Sequence, residues 1–227
     1  QTDILEAMPQ KRRSEWHESI RSMTTPDFTE DTVRATIESL MAQRHKFFAE
    51  RVDGIFRNLS GEHVTNSPMG FSKRMIMGYM GTRYDSWFSV NHERAGYIND
   101  LRCVIAKFMG RDQPNYNMSG KLLDTLKGDF GQWVSIDGGA LKVRLYMKGT
   151  AHIEVHPEMA WRLNQVLAYM HPMAIASEYR TKPKKKLKEF QLIQRPLPFS
   201  VLDLIATGGV RDYEFSFTHG AKDKAGY

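Results

Sequence analysis

GTAHIEVHPEMAWRLN, residues 149–164, joins a turn, an alternating strand and the start of a helix in one short span. Successive strand side chains point to opposite faces, so Ile153 and Val155 face one way while His152, Glu154 and His156 face the other. Such a strand has one face to bury and one left for chemistry. Pro157 suits the first helical position, where its missing N–H costs nothing, and Met159, Leu163, Val166, Leu167 and Met170 follow at helical spacing. The polar strand face therefore runs up to a helix N-terminus, where anions are favoured.

Upstream of this stretch the same period of two continues. In LKVRLYM, Leu141, Val143, Leu145 and Met147 share one side and Lys142, Arg144, Tyr146 and Lys148 the other. A Gly138-Gly139 turn precedes it, and WVSID from Trp133 precedes the turn. The pattern predicts a three-stranded antiparallel meander closed by a helix over Pro157–Met170.

Further upstream the period becomes helical. Asp27 followed by Glu30 resembles a capping box. Val33, Ile37, Leu40, Met41, Phe47, Phe48, Val52, Ile55, Phe56 and Leu59 then predict one long helix, bent near Gly54 and stopped by Ser60-Gly61. GEHVTNSPMG, residues 61–70, has the composition of an ordered loop, and FSKRMIMGYMG, residues 71–81, reads as a short helix with Lys73 and Arg74 on one face. Another helix is expected over 94–109, burying Tyr97, Leu101, Val104, Ile105 and Phe108 and ending at Gly110, with a short one around Leu122, Leu123 and Leu126. Asp100 and Arg102 fall off the apolar stripe and suit a salt bridge, with the loop holding Glu62, His63, Thr65 and Asn66 as one candidate partner. Downstream, residues 179–189 are too basic and proline-broken for a core element, and a last short helix is expected over 199–206.

These elements define an α+β fold: a long N-terminal helix and a helical layer packed on a small antiparallel β-meander that is followed by a helix. The expected organisation is an N-terminal extension over 1–26, a single domain over 27–206 and a tail over 207–227. Within the domain, residues 27–130 are helical, 131–172 form the meander and its helix, and 173–195 form a basic loop. At 227 residues, 41% hydrophobic and 26% charged, the chain buries a core without disulfide staples and is not extended disorder. Its one cysteine, Cys103, sits in an apolar helical pattern and predicts packing in a reducing, cytoplasmic setting. The start QTDILEAMPQKRR has no apolar leader core, and no apolar run approaches the roughly 20 residues that cross a bilayer. No membrane partner is expected.

Net charge +6 directs attention to anionic partners. Lys73, Arg74, Lys142, Arg144, Arg180, Lys182, Lys184, Lys185, Lys186 and Lys188 are the candidate phosphate contacts, because each cation that displaces a counterion from a nucleic acid adds affinity. Lys142, Arg144 and Tyr146 resemble a basic and aromatic platform, although the same pattern suits a plain wet sheet face. His152, Glu154 and His156 form a second constellation, suited to a metal or to proton transfer, against the reading of a simple hydrogen-bonded strand face. Trp161 and Arg162 suit either a partner interface or ordinary packing. Glycine-rich cofactor turns and a GxxxxGK loop are both missing from the sequence, so catalysis by this chain alone is not expected.

SGEHVTNSPMGFSKRMI, GYINDLRCVIAKFMGRD, DGGALKVRLYMKGTAHIEVHPEMAWRLN and EFQLIQRPLPFSVLDLIA together resemble a bacterial domain-of-unknown-function family, from about Thr29 onward. The resemblance implies phage, plasmid and other mobile-element proteins. It also implies frequent fusion to an S-adenosylmethionine (SAM)-dependent, adenine-specific DNA methyltransferase domain, expected here after Tyr227. On that footing the leading expectation is a non-catalytic, DNA-associated accessory or target-recognition domain in a bacterial cytoplasm. Its partners would be DNA and a methyltransferase domain or other mobile-element proteins, with no cofactor in this chain and SAM only in an attached domain. The alternatives are a metal-dependent nucleic-acid enzyme using His152, Glu154 and His156, and a structural domain that docks or forms a homodimer.

Overall fold

A computed structural model describes residues 8–22, 27–85 and 87–183. Lys184, Lys185, Lys186, Lys188, the expected helix over 199–206 and the tail lie outside the described residues, as do residues 1–7 of the extension. In chain order the helices are α1 (Gln10–Arg21), α2 (Glu30–Ala42), α3 (Arg44–Arg57), α4 (His92–Phe108), α5 (Met118–Leu126), α6 (Pro157–Met170) and α7 (Ser177–Arg180). The strands are β1 (Arg74–Met77), β2 (Gly81–Arg83), β3 (Phe88–Val90), β4 (Val134–Ile136), β5 (Leu141–Leu145) and β6 (Ala151–Val155). The fold is α+β, with a four-stranded antiparallel sheet in the order β1-β6-β5-β4 and a separate β2-β3 hairpin.

The meander β4-β5-β6 forms with the expected alternation, each of β5 and β6 burying every second residue. Its inner face carries Ile136, Leu141, Val143, Leu145, Ala151, Ile153 and Val155, all in one apolar core with Met159, Leu163 and Leu167 of α6. Helices therefore cover this face, and the other carries mostly half-buried polar and aromatic side chains. The β4-to-β5 turn needs left-handed backbone at Asp137 (φ 54°), Gly138 (φ 69°) and Gly139 (φ 79°), which explains the glycine pair there.

The structure corrects the helical reading of 71–81. Arg74–Met77 is a strand paired antiparallel to β6, with Met75 opposite Ile153 and Arg74 opposite Glu154. A short Met-rich apolar run fits helix and strand patterns alike, and the unpaired edge of β6 selects the strand. Asn66 fastens the other side of β1: its amide nitrogen donates to the carbonyls of Ser60 and Ile76, and its carbonyl oxygen accepts from the Ile76 N–H at 2.9 Å.

The single long helix expected from residue 27 divides at Gln43, not at Gly54. α3 turns into the core through Val52 and Ile55, whereas α2 buries no residue. Gly54 stays helical, where a Cβ would meet only the Tyr97 ring at 3.9 Å. The α2 N-cap is Thr29 in a reciprocal pair with Thr32, in place of the Asp27/Glu30 box.

α4 is buried almost all round, and its polar residues are neutralised inside. Arg102, 1% exposed, holds Asp137 with two hydrogen bonds of 2.9 and 2.8 Å, and Asp100 meets Arg51 at 3.1 Å and the Gln10 N–H at 2.8 Å. Both residues thus form structural salt bridges, with Arg51 and Asp137 as partners. α1 contributes more to the interior than its frayed, polar sequence suggests, because Gln10 and Arg13 are buried against this network. Trp161 and Arg162 also serve packing: the indole donates to the Arg180 carbonyl at 2.9 Å, and Arg162 donates to the Phe108 carbonyl at 3.0 Å.

Candidate nucleic-acid interface

The outer face of the sheet is built by strand phase and register. One row across it runs Arg74, Glu154, Lys142 and Ser135 on β1, β6, β5 and β4. The next runs Ile76, His152 and Arg144, and Trp133, two residues before Ser135, extends it beside β4. Cross-strand neighbours on one face are close enough to interact directly. Three cations therefore share this face with one carboxylate.

The carboxylate is already committed. Arg74 donates to Glu154 Oε1 from Nε at 3.0 Å and from Nη2 at 2.5 Å. Arg144 is held differently, by aromatic rings: its guanidinium carbon lies 4.3 Å from the Trp133 centroid and 5.1 Å from that of Tyr146. Its Nε is buried and makes no hydrogen bond. Among the described residues no carboxylate forms an ion pair with it.

His152 sits opposite Arg144 and touches the same cluster. The Tyr146 ring lies 4.6 Å away and the His63 ring 6.4 Å away, and its buried Nδ1 has no hydrogen-bond partner. Burial, then the charges of Arg144, Arg74 and His63, hold its pKa below the ordinary imidazole range. The ring is accordingly neutral at neutral pH.

Three of the ten basic candidates, Arg74, Lys142 and Arg144, come together here. Lys73 is exposed beside β1 but out of phase with Arg74. Arg180 and Lys182 lie next to α6, where the Lys182 nitrogen is 5.4 Å from the Trp161 ring, and so belong to the helical layer. His152 and Glu154 share the outer face, but His156 leaves the strand to cap α6, its Nδ1 accepting from the Glu158 N–H at 3.2 Å. Among the described residues no group of three or more His, Cys, Asp or Glu side chains is placed to hold a metal ion. Cys103 is buried, and desolvation pushes its thiol up to about 11, which leaves it unreactive.

Sequence reasoning did not place Trp133 in the cluster, although it is in phase with Ser135 across the β4–β5 register. His63 is a candidate companion of His152 from its sequence, but only the folded loop brings its ring to the sheet. The chain matches the family model described as "Domain of unknown function (DUF4942)" over residues 1–173. No curated protein and no solved structure matches it. Since the match spans more than half of the 227 residues, the chain belongs to this DUF4942 family.

Proposed function

We propose that this chain is a nucleic-acid-associated domain that binds phosphates on the outer face of its sheet and carries out no chemistry itself. The observation that supports this reading is the shared placement of Arg74, Lys142 and Arg144 with Trp133 and Tyr146. Cations on a rigid sheet neutralise a backbone, and aromatic rings beside them give bases a surface to stack on. On the resemblance described above, the setting is a phage or plasmid adenine-methyltransferase system in a bacterial cytoplasm. There the domain acts as an accessory or target-recognition part, and SAM belongs to an attached domain.

The test is fluorescence anisotropy with labelled single-stranded and duplex oligonucleotides at about 50 and 200 mM salt. Affinity should fall steeply with salt. The double variant Lys142→Ala/Arg144→Ala should lose about tenfold or more, with the log–log salt slope reduced by about two. Failure of both oligonucleotides to bind at the lower salt would end this reading.

A further inference from the structure

The cluster around Arg144 differs from the rest of the face in being incomplete. Arg74 has Glu154, whereas the Arg144 guanidinium is oriented by Trp133 and Tyr146 and, among the described residues, pairs with no carboxylate. Across the β5–β6 pair stands His152, a second nitrogen ligand whose Nδ1 is buried and unbonded. An arginine pre-set by stacking loses little entropy when it grips an oxyanion, and a neutral imidazole beside it gains a second N–H donor and a positive charge on taking a proton. Arg144 Nε and His152 Nδ1 are shut off from solvent, so a tetrahedral oxyanion would be met by the remaining nitrogens of the two side chains, Arg144 Nη1 and Nη2 and His152 Nε2.

We propose that Arg144 and His152 form a phosphate seat that grips the non-bridging oxygens of a nucleic-acid phosphodiester, and that His152 takes up one proton from solvent as the phosphate binds. The proposal rests on the nucleic-acid reading above and names the site and its proton linkage. The groups facing His152 are Arg144 and Tyr146 from β5 and the turn after it, Arg74 from β1, His63 from the preceding loop, and Glu154 further along β6. Glu154 is engaged by Arg74, so the charges that bear on the free ring are mainly positive and keep it neutral. A phosphate reverses that balance. The bound ring is then the stronger base, and between its free and bound titrations affinity rises as pH falls, by at most about tenfold per pH unit for one proton.

Affinity of the full chain for a labelled oligothymidylate is measured from about pH 8 to pH 5.5. In parallel the His152 imidazole resonances are followed by NMR with and without inorganic phosphate. The expected result is tighter binding at lower pH, with the slope lost in His152→Asn and the affinity reduced severalfold or more in Arg144→Ala. Arg144→Lys should recover only part of the loss, because an ammonium lacks the planar fork. Oligothymidylate that binds independently of pH, or a slope that survives in His152→Asn, overturns the seat and leaves the broader reading standing. If no oligonucleotide binds, that reading fails and the NMR arm decides alone. A His152 titration raised by phosphate in wild type but not in Arg144→Ala supports the seat, and an unmoved one overturns it.

Discussion

Arg102 is nearly inaccessible, and its guanidinium is matched inside the protein: Asp137 accepts from it twice and Ser119 lies 3.3 Å from its Nη1. Removing one partner strands the other charge in the interior, so Arg102→Met should cost about 3–5 kcal/mol in chemical denaturation. The double variant with Asp137→Asn should recover part of that loss. Asp100 behaves differently: burial outweighs the attraction of Arg51 and pushes its carboxyl up to about 6. A folded-state value above the unfolded one means that the acid form is favoured by folding. Its stabilising contribution is therefore present below about pH 4 and lost as pH rises through about 6. Denaturation from pH 4 to 7 should show that decline in wild type, and Asp100→Asn should flatten it. Asn164 is the third residue of this kind, accepting from the Phe71 N–H at 2.7 Å and donating to its carbonyl at 2.9 Å. Asn164→Ala should cost about 2–4 kcal/mol, since it orphans a buried donor and a buried acceptor. None of these partnerships was legible in the sequence, where the residues stand tens of positions apart.

The close approach of the β2-β3 hairpin to the β5–β6 turn depends on Gly149. Gly149 has φ +79°, and a Cβ there would lie 2.2 Å from the Gly81 carbonyl oxygen, while Met80 donates to the Gly149 carbonyl at 2.8 Å. Gly149→Ala should cost at least about 1–2 kcal/mol, through both backbone strain and collision with an atom that cannot rotate away. A denaturation midpoint equal to wild type would show that the hairpin yields freely. Elements with strict periods were readable: β5, β6 and α6 fall where the alternation and Pro157 put them. Those decided by tertiary need were not. β1 became a strand because β6 had an edge to fill, and the kink at Gln43 follows from α3 packing inward while α2 has nothing to bury. The platform was half legible for the same reason, since alternation placed Lys142, Arg144 and His152 on one face but could not bring Arg74 there while β1 read as a helix.

Stability is spread unevenly over the molecule. α4 lies inside the helical layer with eleven buried residues, whereas α2 has none and exposes Met41 and Ile37. Local opening follows burial, so amides of α2 should exchange with deuterium orders of magnitude faster than those of α4 in native-state hydrogen exchange. Comparable protection of both helices would mean that α2 is covered in solution. The charge of the chain is likewise uneven, and only part of the basic sequence meets on the sheet. Arg180 and Lys182, beside α6, stand apart from it, and the lysines from 184 onward lie outside the described residues.

Asn66 has a consequence for how this protein meets others. A bare sheet margin invites foreign strands to zip alongside it, the route to domain swapping and fibrous aggregation. At Ile76 that invitation is withdrawn, because one carboxamide engages both main-chain groups and the Ser60 N–H binds the same carbonyl at 2.8 Å. The lateral route is thus obstructed at β1, and β4 offers only three residues on the far margin. In the proposed function a nucleic acid would then meet the sheet on its outer face, beside Arg144, and not along its margins.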